Sequence, residues 1–215
     1  MSLSPDDEDT FNRFHSNLGR ARSLGAVYLQ LVGKGQGRVA VQYSDILRSA
    51  VVFLHATLED LLRSLEEAHA RRQLRSGVTD YPSIAFVLDS TQDLRKEKIS
   101  VGDVVKHHYN KTVEDVVRLA LDREFSTRTY NKPIDVIQAI TRLKLDTSGA
   151  TLSASTLQAM MQRRHQIAHR ADHNPIRGRG QHIALPLPRA LFETWLDTVS
   201  KLGDDLKIQL SRRST

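Results

Sequence analysis

The stretch from Met161 to Asp172 gathers Arg163, Arg164, His165, His169 and Arg170 where a helix would otherwise bury apolar surface. Histidine titrates nearest neutrality of all side chains, and arginine keeps its charge at any working pH. Together they supply proton transfer and stabilisation of a phosphorane-like anion, both of which cleavage of an RNA phosphodiester requires. Five residues separate Arg164 from His169, which on one helix places them about 140° apart around the axis, too far to face one small pocket squarely. His165 and His169, one turn apart, do share a face. Two copies of the helix approaching across a two-fold axis would let each arginine lean into a groove that holds the histidines of the other copy.

Other readings of the same residues stay open. His165, His169 and His173 stand at i, i+4 and i+8 with Asp172 beside them, a spacing that suits metal ligation. Against it, the surrounding arginines oppose a dication, and no acid lies between the ligands as in His-Glu-x-x-His motifs. Arg164 and His169 also read as a structural pair closing the helix end, where the helix dipole favours cations. No nucleophile-elbow spacing supports Ser/His/Asp catalysis, and no carboxylate pair occupies an obvious shared face. Neither a metal nor a cofactor is expected.

The elements that must carry these residues are helical almost throughout, which predicts an all-α fold. Phe11, Phe14, Leu18, Ala21, Gly25 and Tyr28 recur at three-to-four spacing after a cap at Asp9 or Thr10, so a first helix is expected to about Val32, after a flexible N-terminus over 1–10. Gly33 to Arg38 break it as a hinge; the glycines lack the spacing and the preceding strand of a phosphate-binding loop. A second helix is expected over 43–74, with Ile46, Ala50, Phe53, Leu54, Leu58, Leu61, Leu62 and Leu65 inward. Arg48, His55, Glu59 and Glu66 fall in one narrow stripe beside that face, which reads as a wet surface, and Glu59 stands one turn from His55 where a carboxylate can orient the imidazole. Residues 77–91 read mainly as loop. Thr112 to Asp115 and Pro133 introduce two shorter helices, and a capping box at Ser155 to Gln158 opens the helix that carries Leu157, Met160, Met161, Ile167 and the Arg/His motif. Pro188 opens a last helix with Leu191, Phe192, Trp195, Leu196, Val199, Leu202 and Leu206 inward. A single domain over 11–210 is expected.

The run from Arg163 to Asp172, with its Arg164-x4-His169 core, resembles the R-x4-6-H signature of the HEPN superfamily of RNA-cutting domains, in its RiboL-PSP-HEPN branch. A second block, Leu47 to Arg63, resembles the first long helix of that branch, where an apolar run leads into a His-Ala-x-x-Glu type motif, here His55 to Glu59. The resemblance covers roughly residues 43 to 75 and 150 to 210, and the middle of the chain only in its helical pattern. It implies a HEPN-like helical bundle with an additional short-helix insertion between the second long helix and the motif helix. It also implies a metal-independent endoribonuclease that uses the RNA 2′-hydroxyl as nucleophile at a composite site in a homodimer. His169 would then be the general acid or base and Arg164 the stabiliser of the charged phosphorus. His165 would take the polar position after the arginine, which is most often asparagine in related sequences, and Glu59 would be an acidic helper. A toxin or antiviral-defence setting, with an antitoxin or defence-system partner protein, is implied likewise. The alternative is a non-catalytic HEPN module that dimerises and binds RNA, nucleotide or a partner protein.

Charge and composition agree with an anionic partner. Over 215 residues the formal net charge is +6, and between Gln162 and His182 five arginines stand against one acid for a local +4. Arg163, Arg170, Arg177 and Arg179 are therefore expected to contact RNA phosphates, with a solvated loop as the alternative. Cysteine is absent, which excludes disulfides, a thiolate nucleophile and zinc fingers and suits a cytoplasmic location. No apolar run approaches the ~18 residues of a membrane span, so no membrane is expected.

Overall fold

The computed structural model describes residues 3–32, 41–76, 101–174 and 184–213. Within them the chain is all-α: α1 (Pro5–Val32), α2 (Val41–Arg75), α3 (Val101–His108), α4 (Val113–Thr127), α5 (Pro133–Arg142), α6 (Ser148–Leu152), α7 (Ala154–Arg170) and α8 (Arg189–Arg213). An isolated antiparallel bridge between His173 and Ala184 stands in for a sheet among the described residues. No helix there is long and apolar enough to cross a membrane. Expectations for residues 33–38 and 77–91 fall outside the described residues.

Local chemistry sets the helix starts, and two differ from expectation. α1 begins more than a turn early, because Ser4 accepts from the Asp7 N–H at 3.2 Å while its hydroxyl donates to the Asp7 carboxylate at 2.7 Å. Pro5 supplies a first-turn residue that has no N–H to satisfy. Six of the ten residues expected to be flexible are thus helix, with Asp7 and Thr10 buried. The second difference is at α7, which starts at Ala154 with Ser153 as a cap that makes no side-chain hydrogen bond. Ser153 also closes α6, its N–H reaching Gly149 O at 3.2 Å, so one residue turns the chain from helix to helix and the Ser155 to Gln158 box lies inside α7. At α4 the expected cap forms, with Thr112 and Asp115 bonded reciprocally. Pro133 opens α5, where Asp135 accepts the Lys132 N–H at 2.9 Å.

Packing divides the chain into two compact units, Met1–Ser64 with Tyr130–Thr215, and Leu65–Thr129. In the first, α8 runs along α1 at a distance that only glycine permits: a Cβ on Gly203 would stand 2.2 Å from Phe14 Cε1. Phe11, Phe14 and Leu18 of α1 and Trp195, Val199 and Leu206 of α8 are buried, each worth roughly 1.5–3 kcal/mol of burial. Leu191, expected inward, is instead 38% exposed. Arg13 holds α1 to α2 through Asp60 at 2.8 Å and Ser64 at 2.7 Å, and the Arg20 guanidinium stacks 4.5 Å from the Phe53 ring centre. Leu157, Met160 and Met161 bury one face of α7, leaving the rest of that helix to carry the motif. In the second unit Ala70, Leu121 and Phe125 pack with Leu74 and Val117, and buried Glu66 meets Arg128 at 3.2 Å.

Candidate functional site

The charged stripe of α2 is not a wet face. Arg48, His55 and Glu66 are buried and Glu59 is nearly so, because the partners that neutralise them come from segments distant in sequence. Burying a charge is tolerable only when it is paired and hydrogen-bonded.

At one end, Asp172 is fully buried and receives Arg48 Nε at 2.7 Å and Arg163 Nη2 at 2.6 Å on a single oxygen, Oδ2. Arg48 also donates to Leu185 O at 2.8 Å and to Asp45 at 2.9 Å. Arg163 donates to Leu185 O at 2.8 Å and Pro186 O at 3.1 Å. This clamp ends α7. Ala171 and Asp172 both take left-handed backbone, φ 48° and 55°, and both N–H groups return to Gln166 O, a C-cap that usually employs glycine. Asp172 O then accepts the Leu185 N–H at 3.0 Å. Arg163 is therefore turned inward as a structural cation, whereas the sequence assigned it to RNA; its position beside Asp172 in space, nine residues along the chain, is what sequence spacing does not display.

Nearer the centre of α2, Glu59 Oε1 accepts the Tyr130 N–H at 3.1 Å, and Oε2 stands 3.5 Å from His55 Nδ1 and 4.0 Å from Arg164 Nη2. The other side of the His55 ring, Nε2, lies 3.2 Å from Tyr130 O. Arg164 reaches Asn131 Oδ1 at 3.4 Å, and its side chain is 24% exposed. Burial first of all pushes the His55 pKa below its ordinary value; Glu59 opposes this, Arg164 reinforces it and the Tyr130 carbonyl opposes it.

Beyond Arg164, His165 and His169 are exposed, with ring centres 4.6 Å apart and planes inclined by 45°. Arg170 is exposed as well, and Arg177 and Arg179 lie outside the described residues. The structure thus brings Arg164 and Glu59 together, sets the two motif histidines side by side, and points Arg164 toward α2 while His169 faces outward. Among the described residues no three His, Asp or Glu side chains converge as a metal cage would require. Sequence reasoning missed Arg48, Tyr130, Asn131 and Asp172. Asp172 closes the motif and carried a signal in its charge; the backbone groups of Tyr130 carried none.

No family model matches the chain, and comparisons with curated proteins and with solved structures find no match either.

Proposed function

We propose that the chain is a metal-independent endoribonuclease of HEPN type, working as a homodimer on RNA. One observation carries the reading: α7 presents His165 and His169 to solvent as a pair while Arg164, braced by Glu59 and Asn131, turns to another side of the same helix. In the proposed step the RNA 2′-oxygen attacks phosphorus as an imidazole takes its proton. The bond from phosphorus to O5′ breaks, and a protonated imidazole delivers a proton to the leaving oxygen. The products are a 2′,3′-cyclic phosphate and a 5′-hydroxyl. Arg164 offsets the charge that grows on the non-bridging oxygens.

In-line displacement needs the base and the acid on opposite sides of phosphorus, with a span of roughly 8 Å between hydrogen-bonded groups. Rings 4.6 Å apart are too close to straddle a phosphate. His169 of one copy therefore serves one side, and the second copy supplies Arg164 and, on the other side, His165. Arg170 lies exposed beside this surface to hold the RNA backbone, and Arg177 and Arg179 extend that basic run in sequence. The toxin or antiviral setting, a cytoplasmic location and an antitoxin-like partner belong to the resemblance alone.

The second reading is a dimerising RNA-binding module without catalysis. It is favoured by the ties that already hold Arg164 to Glu59 and Asn131. Incubation of purified protein with total RNA in the presence of EDTA separates the two. Cutting should persist under chelation, leave cyclic phosphate ends, and fall at least about 10²-fold in His169→Ala. Cutting that stops on chelation, or that His169→Ala retains, overturns the reading; binding without cutting selects the module.

A further inference from the structure

Glu59 Oε2 stands between the His55 ring and the Arg164 guanidinium and hydrogen-bonds to neither, 3.5 Å from His55 Nδ1 and 4.0 Å from Arg164 Nη2. Its sister oxygen is fixed by the Tyr130 N–H, so a small pivot about that bond brings Oε2 to one side or the other. The His55 ring is fully buried, and its Nε2 faces the Tyr130 carbonyl at 3.2 Å. A carbonyl only accepts, so Nε2 carries the hydrogen. In the neutral ring Nδ1 is then a bare lone pair aimed at a carboxylate oxygen, and nothing holds the two together. A second proton on the ring converts the same approach into a charge-assisted Nδ1–H to Oε2 bond.

The charged groups that face the ring are Glu59 from α2 and Arg164 from α7; the connection between α4 and α5 contributes the backbone of Tyr130 and no charge. Burial holds the ring neutral at pH 7, and acidification charges it. We propose that His55 is a positioning residue for Arg164: the charged ring draws Glu59 to Nδ1 and frees the guanidinium to meet a phosphate, and the neutral ring leaves Glu59 to Arg164. This rests on the ribonuclease reading for what Arg164 does once free, and not for the exchange of partners.

NMR of protein labelled with 15N in histidine and arginine tests the exchange without RNA. Nε2 of His55 should stay protonated throughout, Nδ1 should gain its proton below pH 6.5, and the Arg164 side-chain resonances should shift with the same midpoint. In His55→Asn, whose amide donates to Glu59 at every pH, those resonances should hold the acid-form position. A ring protonated on Nδ1 and bare on Nε2 at neutral pH, or an Arg164 signal indifferent to the His55 transition, overturns the proposal. Both observations need wild type only, so a variant that does not fold leaves them intact.

A 2′-O-methyl oligonucleotide, which lacks the nucleophile, extends the test to binding. Its Kd should fall about tenfold through the His55 transition, the weight of one charge-assisted phosphate contact. The same pH dependence in wild type and His55→Asn overturns the proposal. No binding at any pH, with the NMR exchange intact, brings down the ribonuclease reading and leaves the exchange standing.

Discussion

Replacing Asp172 tests the clamp that ends the motif helix. In Asp172→Ala, Arg48 and Arg163 keep their guanidiniums where they are, 8% and 13% exposed, and lose the carboxylate between them. Removing one partner of a buried ion pair costs about 3–5 kcal/mol. Arg48 retains Asp45 and Leu185 O, and Arg163 retains Leu185 O and Pro186 O, so the low end applies, ~3 kcal/mol. Alanine must also adopt φ 55°, which costs it about 1 kcal/mol more than glycine. Asp172→Asn keeps an acceptor and a residue that tolerates left-handed backbone, and should lose only about 1–2 kcal/mol. Trp195 is the chain's single tryptophan and is buried in the same unit, so its fluorescence reports melting there. At roughly 2–4 °C per kcal/mol, the loss from Ala, about 4 kcal/mol in all, should be about 8–16 °C, with Gly and then Asn progressively milder. Melting within about 1 °C of wild type for both Ala and Asn would refute the clamp.

Two further outcomes follow from the packing and the buried histidine. Gly203→Ala drives a methyl to 2.2 Å from Phe14 Cε1 and should destabilise by roughly 1–3 kcal/mol despite its better helix propensity; paired with Phe14→Leu, much of that loss should be recovered in the same melting assay. The folded-state pKa of His55 lies below 6.5, so between that pKa and pH 6.5 the unfolded chain binds the extra proton. Stability contributed by the neutral ring is therefore fully present above pH 6.5 and is lost as pH falls through the window, at about 1.4 kcal/mol per unit of depression. Denaturant unfolding from pH 7.5 to 5 should show a flatter slope in His55→Gln than in wild type, and equal slopes would contradict the assignment.

Helix periodicity was legible because it is local. The spacing of Leu54, Leu58, Leu61 and Leu65, the Thr112 cap and Pro133 each display their consequence within a turn or two of chain. The start of α1 was legible too, in Ser4, Pro5 and Asp7, but the apolar run from Phe11 outweighed it. What sequence could not display was burial of charge. Arg48, His55 and Glu59 share one stripe whether the face is wet or dry, and the deciding partners are Asp172, Tyr130 and Arg164, between 71 and 124 residues away. Arg163 likewise meets Asp172 only nine residues along the chain, a pairing that helical spacing does not display. His165 and His169 sharing a face, and Arg164 pointing elsewhere, followed from helix geometry alone.

Whether arginine and histidine act from different chains is decided by mixing Arg164→Ala with His169→Ala protein. In a mixed dimer one composite site would hold the Arg164 of one copy and the His169 of the other, and the second site would hold neither. With random exchange about half of the dimers are mixed and one of their two sites is intact, so RNA cleavage should return to about a quarter of the wild-type rate, from two proteins that are inactive alone. No recovery after subunit exchange, or full wild-type cutting by protein that stays monomeric at micromolar concentration, would contradict action from different chains.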